Sequence, residues 1–144
     1  MGDSPALIEQ AVAHIEHLCG AQAQRAPLYH SKSWGYESVS DYTNLGIAIE
    51  TDIPPTGLLQ AFRSIEHLIS PSPHRDADGN YLDREIDIDI IAIDEMAVSS
   101  KDLTLPHPRM HLRDFVLVPM AYLAPTWRHP RLGATASELL DRLK

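Results

Sequence analysis

Residues 83–94 read "DREIDIDIIAID". No other stretch narrows the possible folds so sharply. Its isoleucines recur at every second position and are β-branched, which favours an extended strand and disfavours a helix. In a strand, Arg84, Ile86, Ile88, Ile90 and Ala92 point to one face, and Glu85, Asp87, Asp89, Ile91 and Ile93 to the other. The second face begins acidic and ends apolar, as a strand does when one end reaches a site and the other enters a core. Asp87 and Asp89 stand roughly 6–7 Å apart at Cα by strand rise. Two carboxylates that close repel, and burial would raise their pKa values. A divalent cation resolves the conflict, and oxygen ligands completed by water and substrate phosphates suit magnesium. The competing reading is a solvated strand with both aspartates in water, and the stretch alone does not separate the two.

The 144 residues predict one domain, 1–144, with one core. A net charge of −8 argues against a general nucleic-acid binder. No apolar run approaches a membrane span and no signal-peptide pattern opens the chain. Cys19 is the single cysteine, so no intrachain disulfide can form. That fits a reducing, cytoplasmic setting. Its place on an apolar helical stripe makes it a small core residue.

Ser4-Pro5 is a capping hydroxyl followed by a first-turn proline, and Leu7, Ile8, Ala11, Val12, Ile15, Leu18 and Cys19 follow at helical spacing up to Gly20. Residues 23–31 read as a strand, 31–41 as a loop, and 42–51 as a strand with Leu45, Ile47 and Ile49 on one face. Pro54-Pro55-Thr56 opens a second helix with the stripe Leu58, Leu59, Phe62, Ile65 and Ile69. A long polar loop, 70–82, precedes the acidic strand, and loops of that length are often functional. "FVLVPMAYLA" and "ATASELLDRL" read as two further helices, the first begun or interrupted near Pro119. The order suggests an α+β, ferredoxin-like antiparallel sheet with helices packed on one face. The first strand of that plan is expected to be absent from this sequence, because the predicted first helix begins almost at residue 1.

Two more clusters carry chemistry. In "PHPRMHLRDF", His107, Arg109, His111 and Arg113 put basic groups beside the acidic strand, an arrangement suited to phosphoryl transfer. No Walker A loop and no G-x-G-x-x-G is present, so side chains and metal would have to hold any nucleotide. Zinc on His107 and His111 would need a third ligand, and Pro108 disfavours a helix there. A solvated basic turn is the plain alternative. Trp34, Tyr36, Tyr42 and Asn44 offer stacking faces and an amide able to pair with the edge of a heterocycle. Taken by itself, this cluster is better explained by core packing of Tyr42 and a backbone bond from Asn44.

These stretches, in this order, resemble the 6-hydroxymethyl-7,8-dihydropterin pyrophosphokinase family. "DREIDIDIIAID" is similar to its Arg-x-x-Asp-x-Asp signature, and "LTLPHPRMHLRDFVLVPMAYLAP" to its Pro-His-Pro-x-Met-x-x-Arg-x-Phe-Val-Leu block. "YTNLGIAIET" is similar to its Tyr-Leu-Asn strand, and "SIEHLI" to the end of its Arg-Ile-Glu helix. The resemblance implies transfer of pyrophosphate from ATP to the hydroxymethyl group of the pterin in folate biosynthesis. It implies two magnesium ions held by Asp87 and Asp89, with Arg84, Arg113 and His107 on phosphate. Glu66, Ile90 and Thr104 would touch the nucleotide, and Tyr81 would come from the loop before the signature. Asn44 would read the pterin edge, Tyr42 and Phe115 would sandwich the ring, and Trp34 would add to that pocket. Where relatives carry Gly-Arg-x-Arg after the second helix, this chain has "SPSPHR", with Arg75 the only arginine nearby. Relatives' Thr-x-Pro before the pterin loop is "SKS" here. Two further readings are a catalytically weak relative that binds pterin or nucleotide, and a non-enzymatic interaction domain.

Overall fold

The computed structural model of the protein describes residues 5–34, 39–69 and 86–144, and only the backbone of 31–34 and 39–42. Helix α1, Pro5–Cys19, buries Ile8, Ala11, Val12 and Ile15 of the predicted stripe, and leaves Leu7 and Cys19 half-buried and Leu18 exposed. Gly20 takes φ +67°, a left-handed conformation that suits glycine and stops the helix. Helix α2, Pro55–Ile69, buries Leu58, Phe62, Ile65 and also Glu66. It lies against α1. Ile15, Leu58, Phe62 and Ile65 form a first core, against which Cys19, Ile47, Ile49, Ile88, Ile90 and Ile93 pack.

The predicted strand 23–31 divides into β1, Gln24–Arg25, and β2, Tyr29–Trp34. The strand expected over 42–51 divides into β3, Val39–Asn44, and β4, Ile47–Ala48. β2 and β3 pair antiparallel from Tyr29↔Asn44 to Trp34↔Val39, so much of the expected loop 31–41 belongs to a ladder. The Ser-rich composition misleads there because pairing with a partner strand overrides weak local preference. β1 pairs with β4 at Gln24↔Ala48 and Arg25↔Ile47.

Residues 86–93 correct the opening expectation. They enter none of the described ladders. Alternation in a sequence records which faces are buried, whereas a strand also needs a neighbour's main chain to bond with. The faces themselves follow the reading. Ile86 is buried and Asp87 and Asp89 are exposed. Ile88 and Ile90 pack on the first core and Ile91 on a second. Alternation then slips, for Ala92 joins the second core and Ile93 the first. The bend that follows places Asp94 at φ +50°. Its carbonyl accepts Trp127 Nε1–H at 2.6 Å.

A short hairpin of β5, Val98–Ser99, and β6, Thr104–Leu105, leads through a 3-10 turn at Met110–Leu112 into α3, Asp114–Leu123. Pro119 sits inside α3 rather than at its start. Helix α4, Ala136–Arg142, is capped by Thr135 and Glu138, whose side chains and backbone N–H groups bond reciprocally. Met110, Leu117, Trp127, Ala134, Ala136 and Leu139 form the second core. The fold is α+β. The helices do not share one face, as the ferredoxin-like expectation had it: α1 and α2 cover one side of the stretch 88–93, and α3 and α4 the other. Both faces of that stretch are largely apolar beyond Asp89, so each demands its own cover. No described helix is long and apolar enough to cross a membrane.

Candidate active site

A cleft of about 260 Å³ opens where α2, residues 89–90 and the β5–β6 hairpin with its continuation to Pro108 come together. Four residues singled out in the sequence, Asp89, Ile90, Thr104 and His107, line it. Leu59, Ile90 and Leu103 supply apolar wall, while Arg63 and Lys101 supply positive charge. Asp89 and Asp102 supply negative charge, so the lining is more polar than apolar, as suits a charged ligand.

His107 is anchored at both main-chain and ring. Its N–H donates to the Ile91 carbonyl at 2.7 Å. Its Nδ1 accepts the Arg109 N–H at 3.1 Å. With Nδ1 accepting, the neutral ring carries its proton on Nε2. Burial pushes its pKa below the usual 6.5; Asp89 pulls it upward, and Arg113 and Arg109 add to the lowering. A neutral imidazole with one N–H donor therefore stands beside a carboxylate.

Asp87 and Asp89 are exposed while Ile86, Ile88 and Ile90 turn inward, so the two carboxylates share a side. Oxygen-only donors at an open position fit magnesium, which keeps several waters. Among the described residues no three His, Cys, Asp or Glu side chains cluster as a complete metal cage. The remaining ligands would therefore come from water and substrate phosphate.

Glu66 lies beneath this region, with its side chain 5% exposed. Its Oε2 accepts the Ile88 N–H at 2.6 Å. Arg63 Nη1 donates to both carboxylate oxygens, at 3.2 and 3.3 Å. Arg113 sets its guanidinium 5.6 Å from the centre of the Phe115 ring, within cation–π range. Asn44 faces Tyr29 across the β2–β3 ladder. Tyr29 Oη in turn donates to Asp114 at 3.1 Å, next to Phe115. Tyr29, the ladder partner of Asn44, thus reaches the start of α3. The side chains of Trp34 and Tyr42, and all of Arg75, Tyr81, Arg84 and the loop 70–82, lie outside the described residues.

Leu59, Arg63, Lys101, Asp102 and Leu103 were not among the site residues read from the sequence. Leu59 has the spacing of a core residue on α2, and the structure leaves it half-buried as cleft wall. Arg63 follows it by four residues, the helical spacing that puts both on one face, which was the available signal. Lys101 sits in a turn and carries no sequence signal.

The profile of the family described as 7,8-dihydro-6-hydroxymethylpterin-pyrophosphokinase matches residues 1–125. A 2-amino-4-hydroxy-6-hydroxymethyldihydropteridine pyrophosphokinase from Methylorubrum extorquens is 35% identical over 87% of this chain and 77% of its own length. One of the same name from Porphyromonas gingivalis is 33% identical over 90% of this chain and 88% of its own. Another, from Synechocystis, is 31% identical over 94% of this chain and 68% of its own.

Proposed function

Because the chain belongs to the 7,8-dihydro-6-hydroxymethylpterin-pyrophosphokinase family, and so to the diphosphate-transferring enzymes, we propose that it transfers the pyrophosphoryl group of ATP to the hydroxymethyl oxygen of 6-hydroxymethyl-7,8-dihydropterin in folate biosynthesis. The pterin hydroxyl oxygen forms a bond to the β-phosphorus. The bond from that phosphorus to the oxygen bridging the α-phosphate breaks, AMP departs with that oxygen, and the hydroxyl proton passes to solvent. The observation that carries this reading is the convergence of Asp89, Ile90, Thr104 and His107 on one cleft.

Leu59, Ile90 and Leu103 offer the adenine an apolar wall. His107 donates Nε2–H to a phosphate oxygen, an uncharged donor held in place by the Arg109 N–H on Nδ1. Asp87 and Asp89 hold two magnesium ions, which when bound neutralise charge on the phosphates. Thr104 belongs to the nucleotide side, as do Arg75, Tyr81, Arg84 and Arg113, whereas Glu66 stands buried behind the cleft wall, bonded to Arg63 and to the Ile88 N–H. Asn44 pairs with the pterin edge, and Phe115 stacks on the ring together with Tyr42 and Trp34. A cytoplasmic location is part of the proposal.

The test follows AMP formation from ATP and the pterin in magnesium. Wild-type protein is expected to turn over. Asp87→Asn and Asp89→Asn are each expected to lose about 100-fold or more in kcat/KM, the scale of losing a group that stabilises developing charge, with thermal unfolding unchanged. Wild type that forms no AMP would overturn the function. A variant keeping most of its activity would overturn the role of its carboxylate.

A further inference from the structure

We infer that Glu66 is a positioning residue, whose buried carboxylate fixes the main chain between Asp87 and Asp89 and so sets how those two carboxylates are presented. The inference rests on the pyrophosphokinase reading and gives one residue of α2 a task in it. Ile88 is the residue between the two aspartates, and its N–H donates to Glu66 Oε2 at 2.6 Å. Residues 86–93 enter none of the described ladders. A residue in a ladder is held by bonds to a neighbouring strand; at Ile88 a side chain from a helix supplies such a bond. A carboxylate acceptor makes a stronger, shorter bond to an amide than a neutral one does.

An isolated carboxylate in the core would be costly, and that of Glu66 takes donors from Ile88 and Arg63. Arg63 lines the nucleotide cleft. The carboxylate thus joins the cleft wall to the backbone that carries the acid pair. Acting through Ile88, it steers Asp87 and Asp89 without itself lining the cleft. Groups that orient ligands in this way govern metal affinity more than affinity for the rest of the substrate.

Three readouts on the full chain separate this from a direct contact with nucleotide. They are manganese binding followed by electron paramagnetic resonance with a non-hydrolysable ATP analogue, analogue binding in a chelator, and hydrogen exchange at the Ile88 amide. Glu66→Leu removes the acceptor, whereas Glu66→Gln keeps an oxygen that can take the Ile88 N–H. Glu66→Leu is expected to weaken manganese binding about 10–100-fold, the usual effect of losing an outer-shell partner. It should also speed Ile88 exchange and leave metal-free analogue binding unchanged. Glu66→Gln is expected to restore both manganese binding and Ile88 protection. Weaker metal-free analogue binding in both variants, with manganese affinity intact, would overturn the inference. Should Glu66→Leu fail to fold, Glu66→Gln carries the test: lost manganese binding with Ile88 still protected would overturn it too. Wild type that binds no manganese with the analogue would sink the parent reading instead.

Discussion

His129 is held in one protonation state by the main chain around it. It is 5% exposed. Its Nδ1 accepts the N–H groups of Arg131 at 3.1 Å and Leu132 at 3.2 Å. Its ring meets Trp127 edge-on with centroids 5.8 Å apart. A proton on Nδ1 would turn that acceptor into a donor and cost both bonds. Burial pushes the pKa below the usual 6.5, and the charges of His111 and Arg131 push the same way. The unfolded chain therefore binds more protons than the folded one between the two pKa values. Stability is complete above the unfolded value and falls as pH drops through it toward the folded one. His107 acts in the same direction. Urea unfolding at about pH 8 and about pH 5.5 is expected to show the acid loss, and His129→Gln to reduce it. An equal loss in wild type and variant would remove His129 from the account.

At the scale of elements, β4 and α3 approach through a glycine. A Cβ on Gly46 would stand 2.5 Å from Pro119 Cβ, an atom of a rigid ring within a helix. Neither side can yield without moving backbone. Gly46→Ala is expected to destabilise the fold by about 1–3 kcal/mol, as overpacking does, read as a lower urea midpoint. Unchanged stability would mean that α3 can slide on β4. The sequence marks this place only as a glycine within an expected strand, 42–51. The helices were legible because each stripe repeats over several turns: Leu58, Phe62 and Ile65 bury as their spacing demands. The isoleucines of 86–90 likewise declared their faces. What stayed hidden was pairing, since a ladder depends on a neighbour distant in the chain. For the same reason Asp89, Ile90, Thr104 and His107 could be chosen from the sequence, whereas the cleft's Lys101, brought in by the β5–β6 hairpin, could not.

Across the whole molecule, the two cores are joined by the stretch 88–93, whose isoleucines divide between them. Such sharing couples their unfolding. The second core reaches well past the family match, which ends at residue 125. Of its six buried residues, Trp127, Ala134, Ala136 and Leu139 lie beyond that point. Losing them would strip the cover from Met110 and Leu117, both fully buried. A chain ended after Pro125 is expected to show no cooperative thermal transition, measured by calorimetry beside the full chain. A transition as sharp and as high as that of the full chain would show α4 to be dispensable. The end of the family profile thus differs from the boundary at which this polypeptide can stand alone. Anyone recombining such enzymes by cutting where the family profile ends would cut through the interior of this one, leaving the reactive half of the protein without the wall it leans on.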